Sequence, residues 1–449
     1  MQADLGALTA AALEAARRAG AGAADALAVA GRALSIDVRG GRLEQADSAE
    51  GVEIGLRVIL SGGRQACVSS SSVTPETLAE MAARAVAMAE DAPPDPHAGL
   101  ADAGDLATAR DAAGLEIDDP SDDPDPARLQ RMAEAAEAAA AAMPGVTQVE
   151  GAAASFSRRR LHLAASNGFS GGYGRSSHAV SATAITGQGT AMERDWAAEG
   201  RIFAADLPDA AGIGRLAGER AVARAGARKA PTGAVPVLFD ERIAAGLIGH
   251  LLVAINGASV ARGASWLRDA LGAQVLPAGL DVIEDPLRCR ATASRPFDAE
   301  GLASRRRVLV QDGLLTGWTL DLATGRKLGM PSTASAGRGT ASPPAPGVSN
   351  IAMTQGTASR DDLIRDMGRG LIVTSFLGAS INPTTGDYSR GASGFWVENG
   401  QIAYPVNETT IAGNLRDMLR RLIPANDARL HLSHVVPSLL VEGLTLAGA

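Results

Sequence analysis

The chain of 449 residues has few aromatic side chains and few cysteines. Only 3% of its residues are Phe, Trp or Tyr, so its cores must be built mainly from Leu, Val, Ile and Ala. The two cysteines, Cys67 and Cys289, are far apart in the sequence and do not indicate a disulfide framework. Reduced thiols, and therefore a cytoplasmic protein, are expected.

Long hydrophobic runs are also missing. No stretch of 18 or more apolar residues occurs, so no membrane-spanning helix is expected. The N-terminal segment has an acid at Asp4 and its basic residues at Arg17 and Arg18, which is the wrong polarity for a signal peptide. It is typical of an amphipathic helix. A soluble protein with no membrane partner is the expectation.

Basic patches are absent as well. The net charge is −8, and the segment from Asp91 to Pro126 contains 11 acidic residues and one basic residue, Arg110. The rest of the chain is therefore close to neutral, and no nucleic-acid partner is expected. The acidic, Pro-rich segment itself is interpreted as a surface linker or a partly ordered crossover. A charged interaction tail is the alternative.

The pattern of the remaining residues predicts an α+β fold with antiparallel sheets. We divide the chain into an α+β segment (1–90), an acidic linker (91–126), a segment with a helix and β-hairpins (127–230) and a β-rich C-terminal domain (231–449). The first and third segments are expected to be of α/β type with antiparallel strands. Asn167-Gly168 predicts a hairpin turn between two strands of the third segment.

Helix caps and periodicity locate the main elements. Thr74-Pro75 and Asp125-Pro126 each predict a helix start. Further helices are predicted at 5–19, 210–225, 241–255, 360–369 and 411–422. Strands are predicted at 26–29, 35–39, 52–60, 65–69, 179–185, 195–203, 235–239, 307–311, 313–321, 372–377, 394–398 and 401–404.

Common catalytic and nucleotide-binding motifs are not found. The sequence has no GxxxxGK[ST] loop and no GxSxG turn, and its glycine cluster at 168–174 follows a hairpin and opens no helix. Six histidines are present, of which His431 and His434 form a weak pair in an expected strand or loop. On a strand, residues with this spacing point to opposite faces.

The helix predicted after the strand at 235–239 is more informative. Zinc peptidases place paired histidines and a glutamate base on such a helix. Here His250 is the only histidine, and Asp240 and Glu241 belong to the helix start. Ala244, Leu247, Ile248 and Leu251 form the expected buried stripe. Taken alone, His250 is interpreted as a histidine at the edge of the core.

Five sequence blocks carry a family resemblance: VARGASWL (260–267), RKLG (326–329), GLIVT (370–374), NPTTGDYSRGASGFW (382–396) and YPVNETTIAGNL (404–415). They closely resemble the TldD/PmbA peptidase family, and within it the PmbA (TldE) branch. The resemblance extends over nearly the whole chain. The last two blocks are long and highly specific.

The resemblance implies an intracellular heterodimeric zinc peptidase that degrades short or unfolded polypeptides and processes peptide precursors. In that family the TldD-type subunit holds the zinc with a helical HExxxH motif and a cysteine near the C-terminus. TldE-type subunits lack this set but are needed for activity. The resemblance therefore implies a TldD-type paralogous partner, a peptide or unfolded polypeptide substrate, and zinc in the partner only.

The HExxxH motif can be placed on this chain position by position. Ala245 stands at the first histidine, Gly246 at the glutamate and His250 at the second histidine, and no cysteine follows Cys289. Two of three ligands and the expected general base are missing, so no catalytic residue and no metal ligand are assigned here. Because no pair of ligands on this helix has to chelate a metal, the helix is expected to be regular and packed.

The turn-rich block at 382–390 has two interpretations. A structural turn is the first, because Asn, Pro, Gly and Asp favour turn geometry. In the second, Asn382, Thr385, Asp387 and Tyr388 line a cleft that holds an extended peptide.

Two functions compete with a non-catalytic subunit. One is an independent, homodimeric peptide-binding protein without a peptidase role. The other is a homomeric hydrolase with an unrecognised site, for example His431, His434 and a carboxylate. The four tryptophans (Trp196, Trp266, Trp318 and Trp396) are candidate interface anchors, with core packing as the alternative.

Overall fold

A six-stranded antiparallel sheet occupies the first half of the computed structural model, which describes residues 4–448. Met1–Ala3 of the predicted 1–90 segment and Ala449 of the predicted 231–449 domain lie outside the described residues. The sheet has the strand order β3-β2-β1-β4-β5-β6. Its strands are β1 (Ala23–Arg39), β2 (Arg42–Ile59), β3 (Gln65–Ser70), β4 (Val146–Ala165), β5 (Ser170–Thr186) and β6 (Glu193–Arg201). The segments predicted at 1–90 and 127–230 therefore contribute to one continuous sheet.

Four helices cover one face of this sheet. They are α1 (Leu5–Arg18), α2 (Pro75–Asp91), α3 (Pro126–Ala141) and α4 (Ala210–Ala223). The predicted caps are confirmed, since the Thr74 hydroxyl accepts from the amide of Thr77 and the Asp125 carboxylate accepts from the amide of Arg128. The apolar faces of α1 and α2 pack on β1–β3, and those of α3 and α4 pack mainly on β4–β6.

The predicted hairpin turn at Asn167-Gly168 is confirmed. Gly168 has a φ of 95°, a backbone conformation that glycine adopts readily, and its amide donates to the carbonyl of Ala165. On the face of the sheet opposite the helices, Phe169 packs with Phe297 from the second half of the chain. This contact joins the two halves through an apolar layer.

The acidic segment at 91–126 is an irregular crossover that packs on the protein. Its apolar residues Ala101, Ala107 and Leu115 are buried. The amide of Ala107 donates to the carbonyl of Gly301, and the amide of Ser176 donates to the carbonyl of Ile117. Backbone hydrogen bonds to both halves of the chain therefore hold the crossover in place.

Two sheets and a short ribbon make up the second half. The larger sheet contains β7 (Gly233–Phe239), β14 (Gly370–Ile381), β15 (Asp387–Glu398), β16 (Gln401–Asn414), β17 (Leu422–Pro424) and β19 (Leu439–Ala447). The smaller sheet contains β8 (Val282–Glu284), β9 (Arg307–Gln311), β10 (Leu314–Leu315), β13 (Ile351–Met353) and β18 (His434–Val435). The ribbon pairs β11 (Ala336–Gly337) with β12 (Ala345–Pro346). In the larger sheet the order is β16-β15-β14-β7-β19-β17, and β16 also pairs with β19. This extra pairing closes five strands into a barrel.

The helices of the second half are α5 (Glu241–Ala254), α6 (Gly257–Ala261), α7 (Leu322–Leu328), α8 (Arg360–Met367) and α9 (Leu415–Arg420). Helix α5 directly follows β7, and its buried side chains join a large apolar core with the barrel strands. The predicted α+β class with antiparallel sheets and a β-rich C-terminal domain is confirmed. Of all the strand pairs named above, which lie within the described residues 4–448, only β7–β14 and β13–β18 are parallel.

Several predicted elements differ in extent: the strands predicted at 26–29 and 35–39 form the single strand β1, and the strand predicted at 401–404 continues to Asn414. Two further elements are shorter than predicted. The helix predicted at 411–422 begins at Leu415, because Ile411 is a strand residue that pairs with Leu446 when the barrel closes. The strand predicted at 313–321 is reduced to Leu314–Leu315. In both places tertiary contacts override the local pattern.

Strand β2 of the first sheet has a long open edge. Strand β2 pairs with β1 along its length but with β3 only from Ile54 onward, and its first half is exposed on both faces. The tip of this β1–β2 arm is nevertheless fixed, because the buried Glu137 carboxylate accepts from the amides of Gly40 and Gly41. None of the helices in the part of the chain that the structure describes is long and apolar enough to cross a membrane.

Helix α4 packs closely on α3 through glycine. A Cβ atom at Gly214 would lie 1.9 Å from the carbonyl oxygen of Ala136. We therefore expect Gly214→Ala to lower the free energy of unfolding by about 1–3 kcal/mol, as overpacking does. Urea unfolding followed by circular dichroism measures this change.

Gly212→Ala is the matched control on the same helix. There the nearest neighbour of the new Cβ would be 3.7 Å away, so the variant should be as stable as the parent or up to about 1 kcal/mol more stable. Equal stability of the two variants would contradict the close helix packing.

Candidate functional site

Helix α5 carries the three positions, Ala245, Gly246 and His250, that the sequence resemblance aligns with a zinc motif. The Asp240 side chain accepts from the amide of Arg242 and caps the helix. Ala244, Leu247, Ile248 and Leu251 form the buried stripe, as predicted. The helix is α-helical from Glu241 to Ala254, which confirms the prediction of a regular, packed helix.

The three motif positions lie on the less buried side of α5. Ala245 is half-buried, and Gly246 is exposed, with no atom within 4 Å of an added Cβ. His250 is half-buried, and its ring meets the ring of Tyr388 edge to face at 5.8 Å between centroids. Burial lowers the pKa of His250, and the nearby Arg390 guanidinium lowers this pKa further. The imidazole is therefore neutral near pH 7.

The residues present at this position do not fit a zinc ion. A catalytic zinc site takes three protein ligands and one open position, whereas only His250 among the three motif positions has a donor atom. Arg390 adds a positive charge beside that imidazole. Across residues 4–448, no group of three His, Cys, Asp or Glu side chains is arranged to hold a metal ion.

The candidate residues Asn382, Thr385 and Asp387 lie together in one turn. The Asn382 side chain accepts from the amides of Thr384 and Thr385 at 2.9 and 3.2 Å. The Thr385 hydroxyl donates to Asp387 at 2.6 Å, and the Asn414 amide also donates to this carboxylate. These hydrogen bonds, from Thr385 first and then Asn414, lower the pKa of Asp387. Such contacts are typical of a structural turn.

Tyr388, the fourth candidate, begins the buried part of β15. It is 3% exposed, and burial raises the pKa of its phenol. The structure thus brings Tyr388 to His250 and leaves the other three candidates in the exposed turn. None of the four lines the cleft between the first sheet and the barrel.

That cleft, of about 810 Å³, lies between the first sheet and the barrel. The elements around it are β4–β6 and the loop before β6 on one side, and β14–β16 on the other. Three large apolar side chains on its lining are exposed: Met192 by 53%, Trp196 by 49% and Leu377 by 64%. By contrast, Trp266, Trp318 and Trp396 are buried in the core.

The floor of the cleft is a buried charge network centred on Asp195. Arg224, at the end of α4, donates to Asp195 at 2.8 Å. The same guanidinium donates to the hydroxyls of Thr374, Ser375 and Ser393 on the barrel strands, each at 3.0 Å. Arg224 therefore connects the first sheet to the barrel with all of its nitrogens engaged.

Helix α5 begins at this network. Arg242 donates to Asp195 at 3.1 Å and to Asp240 at 3.0 Å, and Arg360 of α8 also pairs with Asp240. Ala245, Gly246 and Gly249 follow Arg242 by three, four and seven residues, so all four share one side of the helix. The motif positions Ala245 and Gly246 thus lie on a side of α5 that begins at the floor of the cleft.

Little in the sequence predicts this cleft. Trp196 is one of four tryptophans considered as interface anchors, but its exposure depends on how β6 faces the barrel. The buried ion pair of Asp195 and Arg224 has no signal in the sequence either, because Glu193 and Arg194 precede Asp195 and Arg220 and Arg228 flank Arg224.

His431 and His434 are in different surroundings. His431 lies 3.2 Å from a Glu199 carboxylate oxygen and 3.2 Å from an Arg429 nitrogen. His434 is in the two-residue strand β18 and pairs with Ile351. Burial lowers the pKa of both imidazoles. His431 thus belongs to an ion-pair cluster between β6 and the C-terminal loop.

Comparison with known proteins identifies three matching domain models. They are the PmbA/TldA metallopeptidase domain 1 at residues 24–89, the central domain at 118–225 and the C-terminal domain at 232–448. The chain is 36% identical over 417 residues to the metalloprotease PmbA of Escherichia coli O157:H7, covering 92% of this chain and 90% of that protein. It is 34% identical over 440 residues to a metalloprotease PmbA homolog of Haemophilus influenzae, covering 97% and 94%.

A solved structure shares the whole fold. The crystal structure of TldE from Thermococcus kodakarensis superposes with a TM-score of 0.85, covering 97% of this chain and 99% of that one. The sequence identity is 20%, so this likeness concerns the fold.

The electrostatic effect of Arg390 on His250 predicts a titration change. Replacing Arg390 by Gln removes the neighbouring charge, so the pKa of His250 should rise toward its ordinary value of 6.5. Histidine NMR titration measures this shift, and a His250→Gln variant assigns the resonance. Arg416→Gln, at an exposed position of α9, is the control and should leave the pKa of His250 unchanged.

The same change affects stability in acid. A lowered folded-state pKa means that the unfolded chain takes up the proton first, so His250 weakens stability as the pH falls below about 6.5. Arg390→Gln should lessen this loss, and an unchanged or lower pKa of His250 in this variant would contradict the electrostatic effect of Arg390.

Proposed function

The chain belongs to the PmbA/TldD family of metallopeptidases, and from this we propose that it is the non-catalytic, TldE-type subunit of a heterodimeric zinc peptidase. A paralogous TldD-type chain would hold the zinc in the cytoplasm. The complex would degrade short or unfolded polypeptides and process peptide precursors. This subunit would help to enclose the substrate.

Helix α5 carries the proposal. In a catalytic relative, the resemblance places two histidines and a glutamate at positions occupied here by Ala245, Gly246 and His250. The side of the helix at Gly246 is open, so missing space does not explain the missing carboxylate. His250 instead contacts Tyr388, and its neighbour Arg390 would repel a cation.

Association with another chain is supported by the β1–β2 arm. The first half of β2 has unpaired backbone groups along one edge and is exposed on both faces. Such an edge can pair with a strand of another protein. Because Glu137 fixes the tip of the arm, little conformational entropy would be lost when a partner binds.

A second candidate function is an independent, homodimeric peptide-binding protein. The cleft favours it, since binding a peptide between the sheet and the barrel requires no metal. The two functions differ in the partner. When this chain is purified from the native host, a TldD-type chain should co-purify with it in the first case. In the second case only a homodimer of this chain should be found.

The main test is a peptidase assay with three preparations. This chain alone, its TldD-type paralogue from the same genome, and the two mixed are each given a fluorogenic peptide and a reduced, unfolded polypeptide. We expect hydrolysis only with the mixture, and we expect a chelator to abolish it. Metal analysis should find no stoichiometric zinc on this chain alone. Chelator-sensitive hydrolysis by this chain alone would contradict the proposal.

A variant that rebuilds part of the motif tests the same conclusion on the helix itself. Ala245→His combined with Gly246→Glu should keep the fold, because both positions lie on the less buried side of α5. It should bind zinc weakly and gain no peptidase activity, since the third ligand is still missing. Zinc content after dialysis and activity without the partner are the measurements.

Gly246→Glu alone is the control for the double variant. It should bind no zinc and should unfold at the same urea concentration or slightly higher, because an exposed helical glycine costs up to about 1 kcal/mol relative to a better helix former. Peptidase activity of the double variant without a partner would show that the rest of a catalytic site is present and would overturn the non-catalytic assignment.

A further inference from the structure

The lining of the 810 Å³ cleft combines exposed apolar side chains with an excess of carboxylates. Met192, Trp196 and Leu377 come from the loop before β6, from β6 and from β14, so the two halves of the chain both contribute. Exposed apolar groups around a concave site favour a ligand that removes them from water. A purely polar small molecule would leave these apolar side chains in contact with water.

The charges of the cleft favour a cation. Its charged lining residues are Glu150, Glu193, Asp195, Glu408, Arg194 and Arg224. Both arginines already have carboxylate partners, because Arg194 pairs with Glu150 at 3.1 Å on the surface and Arg224 is buried on Asp195 and the barrel hydroxyls.

Two carboxylates remain for a ligand. Glu193 accepts only from the Asn407 side chain, and the exposed Glu408 side chain has no hydrogen-bond or ion-pair partner within residues 4–448. Glu408 also has a φ of 48°, in a bulge of β16 between Val406 and Thr409. Non-glycine residues in this region of backbone conformation are often found at functional sites.

The backbone beside the cleft is suited to an extended chain. Strand β14 pairs with β7 only at Leu371–Val373, so its outer edge is open from Ser375 to the bulge at Gly378. Strand β6 is also an edge, but at Trp196 its amide already donates to Asp195 and its carbonyl accepts from Arg220. A bound peptide would therefore pair with the short open edge of β14, which is about three residues long.

We propose that this cleft binds extended peptide segments in which an apolar side chain is adjacent to lysine or arginine. The apolar side chain packs among Met192, Trp196 and Leu377, and the cationic side chain lies between Glu193 and Glu408. Backbone pairing with β14 accepts many sequences, while the two carboxylates select for positive charge. This substrate class rests on the proposed role in peptide handling.

Trp196 provides a direct probe, because the other three tryptophans are buried. The isolated chain is titrated with the peptides Ac-Ala-Leu-Lys-Leu-Lys-Ala-amide and Ac-Ala-Leu-Glu-Leu-Glu-Ala-amide, and Trp emission is recorded. The lysine peptide should change the emission and bind at least about tenfold more tightly than the glutamate peptide, and salt should weaken it. Trp196→Phe should abolish the change in emission.

The variant that decides the proposal is Glu193→Gln with Glu408→Gln. Both changes keep the side-chain size, and a glutamine at 193 can still accept from Asn407. The double variant should bind the lysine peptide about three- to tenfold more weakly by calorimetry, as expected for two exposed charge pairs. Glu80→Gln with Glu90→Gln, two exposed acids on α2, is the matched control and should leave the affinity unchanged.

Equal affinity for the two peptides, no binding, or no effect of the double variant would overturn the proposal. The assay uses this chain alone and needs neither zinc nor a partner. Failure of partner-dependent hydrolysis would therefore count against the proposed function, while a missing charge preference with intact partner-dependent hydrolysis would count against the cleft only.

Discussion

Asp195 is the residue on which the arrangement of the two halves depends. Its carboxylate lies on the edge strand β6 and accepts from Arg224 of α4 and from Arg242 of α5. Arg224 in turn reaches the hydroxyls of the barrel strands. Asp195 and Arg224 are buried and Arg242 is nearly so, and removing one partner of a buried pair leaves an uncompensated charge that costs about 3–5 kcal/mol. The network therefore fixes the distance between the first sheet and the barrel.

The cleft is a consequence of that constraint. Asp195 and Arg224 link β6 to β14 at the floor of the cleft, and the two strands belong to different sheets and do not pair with each other. Met192, Trp196 and Leu377 are exposed along the lining of this space. A site for an extended chain thus follows from the way the halves are joined, without any residue of a zinc motif.

Helix α5 joins the floor of the cleft to the positions where the family resemblance places a zinc motif. Its first turn is part of the Asp195 network, and the positions of the degenerate motif follow within three turns. At these positions the helix carries a histidine packed on Tyr388 and a side lined by Ala245, Gly246 and Gly249. A helix in this form can position its neighbours but has no group for general-base work at Gly246, which agrees with a structural role beside a catalytic partner.

Local patterns of residues were sufficient for the fold class, most helix starts, the hairpin at Asn167-Gly168 and the family. Caps, glycine turns and apolar periodicity act over a few residues, and the long specific blocks at 382–396 and 404–415 need no geometry to be identified. Long-range contacts controlled the rest. The barrel closure turned Ile411 into a strand residue, and the joining of distant segments placed Asp195 beside Arg224 and Arg242. Whether a given tryptophan is exposed also depends on which elements cover it, and no local pattern in the sequence records that.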